Sequence, residues 1–484
     1  MILAPKNAMT LFHRTICRAF CLVLWSVLIF APLMLRAAEQ RPNLVFILAD
    51  DLGYAELGCY GQKVIHTPRL DRMAGEGIRF THFYAGATVC APSRSVLMTG
   101  MHHGRTRVRG NGGGQRQALR ETDVTVAKVL RSAGYRTSLI GKWGLGDEGE
   151  ASSGLPRRQG FDEFYGYLNQ HHAHNHFPDF LWRNETREPT ENVVTPVGST
   201  GAGYATKAVQ FADDLFAEEA VKFVSANKDR PFFLYWSMVS PHANNERTNA
   251  LKDGAEVPDY GSYAAEPWPA PDKGHAAMVT RMDSLVGRFL DQLDALGLSE
   301  NTLVVFTSDN GPHNESNHDL NRFQPAGPFS GTKRSLTDGG IRVPFIVRWK
   351  GRLKAGTTSD HVGSFTDWFA TAAELAWAKA EVPSDSLSFA PELFTKQQPK
   401  HDFLYWEFHE REFTQAALYQ GRWKGIRSGA PDAPVKVFDQ QQDPAEKNDV
   451  AVQYPEIANT ISWYLDTARS DSPDWPALWK KRGK

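Results

Sequence analysis

Asp50 and Asp51 are adjacent carboxylates that directly follow an apolar run, Pro42 to Ala49. Two carboxylates held side by side repel, so a fold that brings them together ordinarily supplies a cation. Asp309-Asn310 adds a carboxylate and an amide oxygen directly after a second apolar run, Asn301 to Ser308. Four hard oxygen donors with no clustered cysteines suit calcium, or less readily magnesium, rather than zinc. Taken singly, either pair also reads as helix caps and turn residues. Both lying at strand ends favours one shared ion.

Cys90 opens the segment Cys90-Ala91-Pro92-Ser93-Arg94-Ser95-Val96-Leu97-Met98-Thr99-Gly100. Pro92 near its start is a helix opener. That puts Cys90 at a helix N-terminus, where unpaired N–H groups favour a negative ligand. Arg94, one turn on, can face the same side. A plain thiolate nucleophile is one reading, and a disulfide with Cys59 is another. Lys142 follows the run Arg136 to Ile140, His242 follows Pro231 to Val239, and Lys333 lies in a Gly-rich stretch beside Arg334. Surface charge, or a turn histidine, is the alternative for each.

The runs that carry these residues lack alternation, so they read as strands buried on both faces. Val343 to Trp349 is a fifth. Helical patterns separate them at Asp123 to Ala133, Thr206 to Ala226 and His275 to Leu296. Strands alternating with helices predict an α/β fold with a large, mostly parallel sheet flanked by helices. Ligands in such folds bind beyond the carboxyl ends of strands. Four strands ending in Asp50-Asp51, Lys142, His242 and Asp309-Asn310 therefore predict one assembled site. After about Lys350 the pattern changes. His401 to Phe408, Ala416 to Arg427 and Val435 to Asp439 read as short antiparallel strands, and Pro455 to Ala468 as a final helix. We expect a catalytic domain over residues 39–365 and a smaller C-terminal α+β subdomain over 366–484, with the junction between about 355 and 395.

Lys6, Arg14 and Arg18 precede an apolar run from about Ala19 to Leu35, and small residues Ala37-Ala38 precede Glu39. This fits a signal peptide over 1–38, and hence an exported protein, periplasmic or extracellular, with no stable membrane insertion after cleavage. An uncleaved anchor is the alternative, but the run is short for a span. Without Lys6, Arg14, Arg18 and Arg36 the chain keeps 50 basic against 55 acidic residues, which is no nucleic-acid footprint. Cys17 and Cys21 fall in the leader, leaving only Cys59 and Cys90.

Cys90-x-Pro92-x-Arg94 followed by a short helix ending in Thr99-Gly100 resembles the signature of the type I sulfatases of the alkaline phosphatase superfamily. The likeness extends to Asp50-Asp51-Leu52-Gly53, Gly141-Lys142-Trp143, Asp309-Asn310-Gly311, Gly331-Thr332-Lys333 and the tail around Phe438-Asp439 and Asp443 to Lys447, about residue 41 to 470. The resemblance implies an alkaline phosphatase-like fold and a sulfuric ester hydrolase. It implies that a formylglycine-generating enzyme oxidises Cys90 to formylglycine (3-oxoalanine), whose hydrate attacks sulfur. By the same resemblance Asp50, Asp51, Asp309, Asn310 and modified Cys90 hold one Ca2+. Arg94 positions the hydrate, Lys142 and Lys333 bind sulfate oxygens, and His242 binds sulfate or protonates the leaving oxygen. The substrate it implies is a sulfated small molecule or glycan.

One position departs from the family pattern. Gly144 stands where the family form Gly-Lys-Trp-His-Leu-Gly has histidine. The run His171-His172-Ala173-His174-Asn175-His176 could supply the missing group, and we expect His172 or His174 to enter the pocket. A solvent loop or an opportunistic metal tract is the alternative. A phosphodiester or phosphonate hydrolase of the same superfamily, and a catalytically silent sugar-sulfate binder, are the competing functions.

Overall fold

A computed structural model describes residues 41–410 and 412–478. The expected leader, with Cys17 and Cys21, lies outside the described residues. Strand β1 (Asn43–Ala49) is buried at every position. In chain order there follow α1 (Pro68–Gly75), β2 (Ile78–Tyr84), α2 (Cys90–Thr99), α3 (Val126–Ser132), β3 (Arg136–Lys142), β4 (Glu163–Tyr167), β5 (Phe180–Arg183) and β6 (Thr186–Pro189). The hairpin β7 (Val193–Pro196) and β8 (Gly203–Lys207) leads into α4 (Ala212–Ala226), β9 (Phe232–Ser237), α5 (Ala270–Ala295), β10 (Thr302–Ser308), β11 (Phe345–Arg348), β12 (Thr357–Ser364) and α6 (Asp367–Leu375). The C-terminal part holds β13 (Phe403–Phe408), β14 (Thr414–Tyr419), β15 (Trp423–Ser428), β16 (Lys436–Asp439) and α7 (Pro455–Thr467).

The large sheet has ten strands in the order β12-β2-β11-β10-β1-β9-β3-β4-β5-β6. Its centre, β10-β1-β9-β3-β4, is parallel throughout, while β11 runs antiparallel to both neighbours. Successive residues of β1 point to opposite faces, as the period of two requires. Leu44, Phe46 and Leu48 join a core with Val96 and Leu97 of α2, Leu130 of α3 and Trp368 of α6. Val45, Ile47 and Ala49 join a second core with Met73 of α1, Phe216 of α4 and Met282 of α5. The result is a helix–sheet–helix sandwich, which explains why the strand sequences show no polar alternation.

The smaller sheet, β13-β14-β15-β16, is antiparallel. Its two faces are also divided. Leu404, Trp406 and Leu418 pack on Tyr84 and Val89, while Tyr405, Ala417 and Val437 pack on Ile461 and Leu465 of α7. A Cβ on Gly425 would lie 2.4 Å from Ile461 Cγ2, so α7 seats directly on the strand backbone.

Several element boundaries differ from expectation; α5, for one, starts at Ala270 rather than His275. Helix α3 starts at Val126, not Asp123, because Thr125 stays extended and its hydroxyl accepts the Lys128 N–H at 3.1 Å, an N-cap. Helix α4 starts at Ala212, and Thr206 and Lys207 instead end β8. The expected strand Ala416 to Arg427 is two, because Gln420 (φ 51°) and Gly421 (φ 66°) turn the chain between β14 and β15. Glycine there favours the left-handed backbone.

Candidate active site

The site is built by strand register. β1 and β10 pair with Ala49 opposite Ser308, so the next residues, Asp50 and Asp309, emerge side by side. β9 lies on the other flank of β1, Leu48 opposite Ser237. β3 follows with Gly141 opposite Ser237, so Lys142 emerges at the same level. Four adjacent parallel strands thus deliver Asp309-Asn310, Asp50-Asp51, the turn to His242, and Lys142 to one edge of the sheet. The turn after β1 is bent tightly. Asp51 has φ 65°, a sparsely populated region for a side chain with a Cβ. Its N–H donates to Asp309 Oδ1 at 3.1 Å, and the Leu52 N–H donates to Ser308 Oγ at 2.8 Å.

Cys90 heads α2, every residue of which is buried. Its Sγ lies 3.4 Å from Asp50 Oδ1. The Ala91 N–H, in the first turn, donates to Asn111 Oδ1 at 3.1 Å. Burial first, and then the Asp50 charge, push the Cys90 thiol well above its ordinary range, so a thiolate nucleophile is disfavoured here. Cys59 and Cys90 are both free, which removes the disulfide reading. Arg94 does face the site. Its Nε and Nη2 donate to Asp309 Oδ2 at 3.1 and 2.8 Å, and Nη1 donates to the Lys142 carbonyl at 2.8 Å and to Ser237 Oγ.

The lysines close the charge balance. Lys142 Nζ donates to Asp50 Oδ2 at 2.5 Å. Lys333 Nζ donates to Asp51 Oδ2 and to Glu315 Oε2, both at 2.8 Å, and lies 3.1 Å from His242 Nε2. His242 places Nδ1 2.7 Å from the Ala243 carbonyl. That nitrogen therefore carries the proton, and Nε2 accepts from Lys333. Burial, then the Lys333 charge, hold His242 well below its usual range. Burial alone would raise Asp50, but Lys142 and Arg94 outweigh it and hold the carboxyl well below its usual range. Burial and the adjacent Asp50 charge push Asp309 up to about 7.

The same residues fit a cation. One ligand atom from each of Asp50, Asp51, Cys90 and His242 lies within 4.8 Å of the others. Asn310 Nδ2 donates to Asp51 Oδ1 at 2.7 Å and leaves Asn310 Oδ1 buried without a partner. An orphaned acceptor among buried carboxylates is a metal-ready oxygen. A second cluster, His275, His313 and His318, also brings three nitrogens within 4.8 Å, but it reads as scaffold. His275 and His318 are stacked with centroids 3.9 Å and planes 3° apart, so their in-plane lone pairs do not converge on one ion. Both His313 nitrogens are used, by the Pro241 carbonyl at 2.8 Å and the Glu315 N–H at 3.0 Å. His275 Nε2 lies 2.5 Å from Glu56 Oε1, and Glu56 Oε2 accepts the Gly53 N–H at 2.6 Å, which braces the turn after Asp51.

Among the histidines of the 171–176 run, His174 reaches this group. Its ring stacks on His242 with centroids 5.0 Å apart, and its Nδ1 meets Glu246 Oε2 at 3.1 Å. His172 packs instead between Tyr167 and Phe180, a placement remote from the expected pocket role; burial, then the Arg187 charge, lower it to about 3. His176 holds the His242 carbonyl at 2.7 Å. Glu315, which anchors Lys333 and Arg334, was not legible in the sequence; its one signal is its place six residues after Asp309. A cavity of about 480 Å³ lies around the C-terminal end of α2, lined by His102, Asp385, His401 and Trp463, but none of the cluster lines it.

A sheet with a parallel centre, sandwiched by helices and with buried acids and cations converging at its carboxyl edge, defines an alkaline phosphatase-like α/β fold. Residues 42–378 match the sulfatase family, and the chain belongs to that family of sulfuric ester hydrolases. An N-acetylgalactosamine-6-O-sulfatase of Bacteroides thetaiotaomicron is 29% identical over 503 residues, covering 89% of this chain and 94% of its own. Mouse arylsulfatase G is 34% identical over 408 residues, covering 76% and 72%. The crystal structure of Ps i-CgsB superposes with a TM-score of 0.74 at 27% identity, covering 90% of this chain and 95% of that one. That protein is also solved in complex with k-i-k-neocarrahexaose. No helix among the described residues is long and apolar enough to cross a membrane.

Proposed function

We propose that this sulfatase removes sulfate from a sulfated carbohydrate, with Cys90 converted to formylglycine and one Ca2+ held by Asp50, Asp51, Asp309 and Asn310 beside it. The observation that carries the reading is the convergence of Cys90, three buried acids and three buried cations at one sheet edge. Formylglycine would supply a hydrated aldehyde as nucleophile, and a dication held by Asp50, Asp51, Asp309 and Asn310 would supply charge that offsets the carboxylates, leaving Lys142 and Lys333 to bind sulfate oxygens. The chain's own residues do the rest. Arg94, fixed by Asp309, Ser237 and the Lys142 carbonyl, holds the head of α2 against the ends of β10, β9 and β3. Lys142 and Lys333 bind the sulfate group. Lys333 and His242, joined at 3.1 Å, serve the leaving oxygen as a proton-carrying pair, and His174 with Glu246 steadies the His242 ring. A carbohydrate substrate is supported by the relatives named for sulfated sugars. The leader supports an exported enzyme, periplasmic or extracellular, that is matured by a formylglycine-generating enzyme.

Mass analysis of the tryptic peptide 80–94 from the native host is expected to show the aldehyde at position 90. The same preparation is expected to hydrolyse 4-nitrophenyl sulfate. Full activity from protein with unmodified Cys90 would overturn the reading. Chelation is expected to abolish turnover, with Ca2+ restoring more of it than Mg2+; equal activity before and after chelation would exclude the metal.

A further inference from the structure

Beside Lys142 the chain leaves a small pocket whose chemistry differs from that of the cationic cluster. Its volume is about 150 Å³, and its walls include Gly113, Gln117, Gly144, Asp147, Asn169 and Gln170. Two of its walls belong to segments that also carry the nucleophile machinery. Gly144 follows Lys142 by two residues, and the Lys142 carbonyl is held by Arg94 at 2.8 Å. Gly113 belongs to the loop whose Asn111 accepts the Ala91 N–H at the head of α2. His171 and Thr200 also line the pocket, and His171 is exposed, so the pocket opens to solvent at that rim.

Three neutral amides face this pocket, and two are consumed by the loops they tie. Gln117 Nε2 donates to the Gly144 carbonyl at 2.9 Å, and its Oε1 accepts the Gly113 N–H at 2.8 Å. Asn169 Nδ2 donates to the Thr200 carbonyl at 3.2 Å, and its Oδ1 accepts the His172 N–H at 2.9 Å. Gln170 is different. It is 7% exposed, and its Nε2 is buried with no hydrogen-bond partner. A buried, unpaired amide carries a desolvation cost that a ligand group hydrogen-bonding to it would relieve. Gln170 also explains Gly144. Position 144 has φ 77°, and a Cβ there would lie 2.1 Å from Gln170 Nε2. The glutamine therefore fills the space that a side chain at 144 would take.

We propose that this pocket receives the sugar that carries the sulfate, and that Gln170 is the substrate-binding residue that recognises one of its hydroxyl groups. The proposal rests on the sulfatase reading above and adds its leaving-group side. Sulfate belongs with the cations of the cluster. A pocket whose walls carry three amides and an acid, Asp147, suits hydroxyls instead. A hydroxyl both donates and accepts, so it satisfies the amide whichever way the amide is turned.

The test compares two probes on the formylglycine-containing enzyme. One is the best-hydrolysed member of a panel of sulfated monosaccharides that includes N-acetylgalactosamine 6-sulfate. The other is 4-nitrophenyl sulfate, which has no sugar hydroxyl. In Gln170→Ala the ratio of kcat/KM for the sugar sulfate to that for the aryl sulfate is expected to fall about tenfold, the worth of one buried hydrogen bond. Gln170→Glu, which keeps the size but replaces the amide, is expected to lower the same ratio. A structural lesion would depress both probes together. A ratio that falls less than threefold in both variants overturns the proposal. So does a wild-type enzyme that hydrolyses 4-nitrophenyl sulfate but no sugar sulfate, an outcome that leaves the sulfatase reading intact. Failure on every sulfate ester, with Cys90 verified as converted, would strike the sulfatase reading itself.

Discussion

Arg94 has no solvent contact, and its donors go to Asp309, the Lys142 carbonyl and Ser237. Removing a guanidinium so placed leaves Asp309 buried beside Asp50 with its main counter-charge gone, and breaking such a pair from one side is strongly destabilising. Arg94→Ala is therefore expected to lower the unfolding free energy by about 3–5 kcal/mol in urea titrations without added metal. Added Ca2+ is expected to restore part of that loss, because a dication on the same carboxylates repairs the charge balance. A loss under about 1 kcal/mol would mean that the carboxylates are neutral without Arg94. At this scale the sequence was informative wherever residue type dictates chemistry. Asp50, Asp51, Cys90, Arg94, Lys142, His242, Asp309, Asn310 and Lys333 are all brought to one place. Glu315, Ser237 and Gln170 were not legible, because a glutamate, a serine and a glutamine are common surface residues and only packing gives these three a target.

At the level of elements, α6 is held by its first residue. The Asp367 carboxylate accepts the Ser364 N–H at 2.9 Å, the Leu387 N–H at 3.0 Å and, from the other side, meets His401 Nε2 at 2.8 Å. Burial pushes the His401 imidazole down, but the Asp367 charge and hydrogen bond outweigh it and raise the imidazole above its ordinary range. A raised folded-state value means that the native state binds the proton more tightly. The stabilisation is full below the unfolded value, about 6.5, and is lost as pH rises through the folded one. His401→Gln is therefore expected to lower the melting temperature more at pH 5.5 than at pH 9. An equal loss at both pH values would show that the pair contributes packing alone. Apolar periodicity marks the face of a helix, whereas its first residue is set by the cap, as Thr125 shows at α3.

For the molecule as a whole, the small sheet is joined to the large one through buried charge near the site. Lys424 on β15 reaches Asp338 Oδ1 at 2.9 Å and Glu446 Oε1 at 3.4 Å. The Asp338 N–H donates to Glu446 Oε2 at 2.7 Å, and the Tyr84 hydroxyl from β2 donates to Asp338 Oδ2 at 3.0 Å. Lys424→Met keeps the length of the side chain, takes the buried cation from Glu446 and leaves Asp338 to Arg342 at 3.3 Å. It is expected to cost about 3–5 kcal/mol in urea unfolding, with both sheets lost in one transition. Two separated transitions would show instead that the C-terminal sheet melts on its own.

The sequence by itself determined the fold class, the strands β1, β3, β9, β10 and β11 and the identity of the charged groups that meet, because unbroken apolar runs ending in acids, a lysine and a histidine permit few arrangements. It also marked Gly144 as the place where the family pattern breaks. The tertiary structure alone decided what stands there. Strand order placed β10, β1, β9 and β3 side by side, which no local pattern encodes, and loop packing brought His174 rather than His172 to His242. The same packing set Gln170 against the bare α-carbon of Gly144, since contacts between residues distant along the chain depend on register and close approach rather than on residue type.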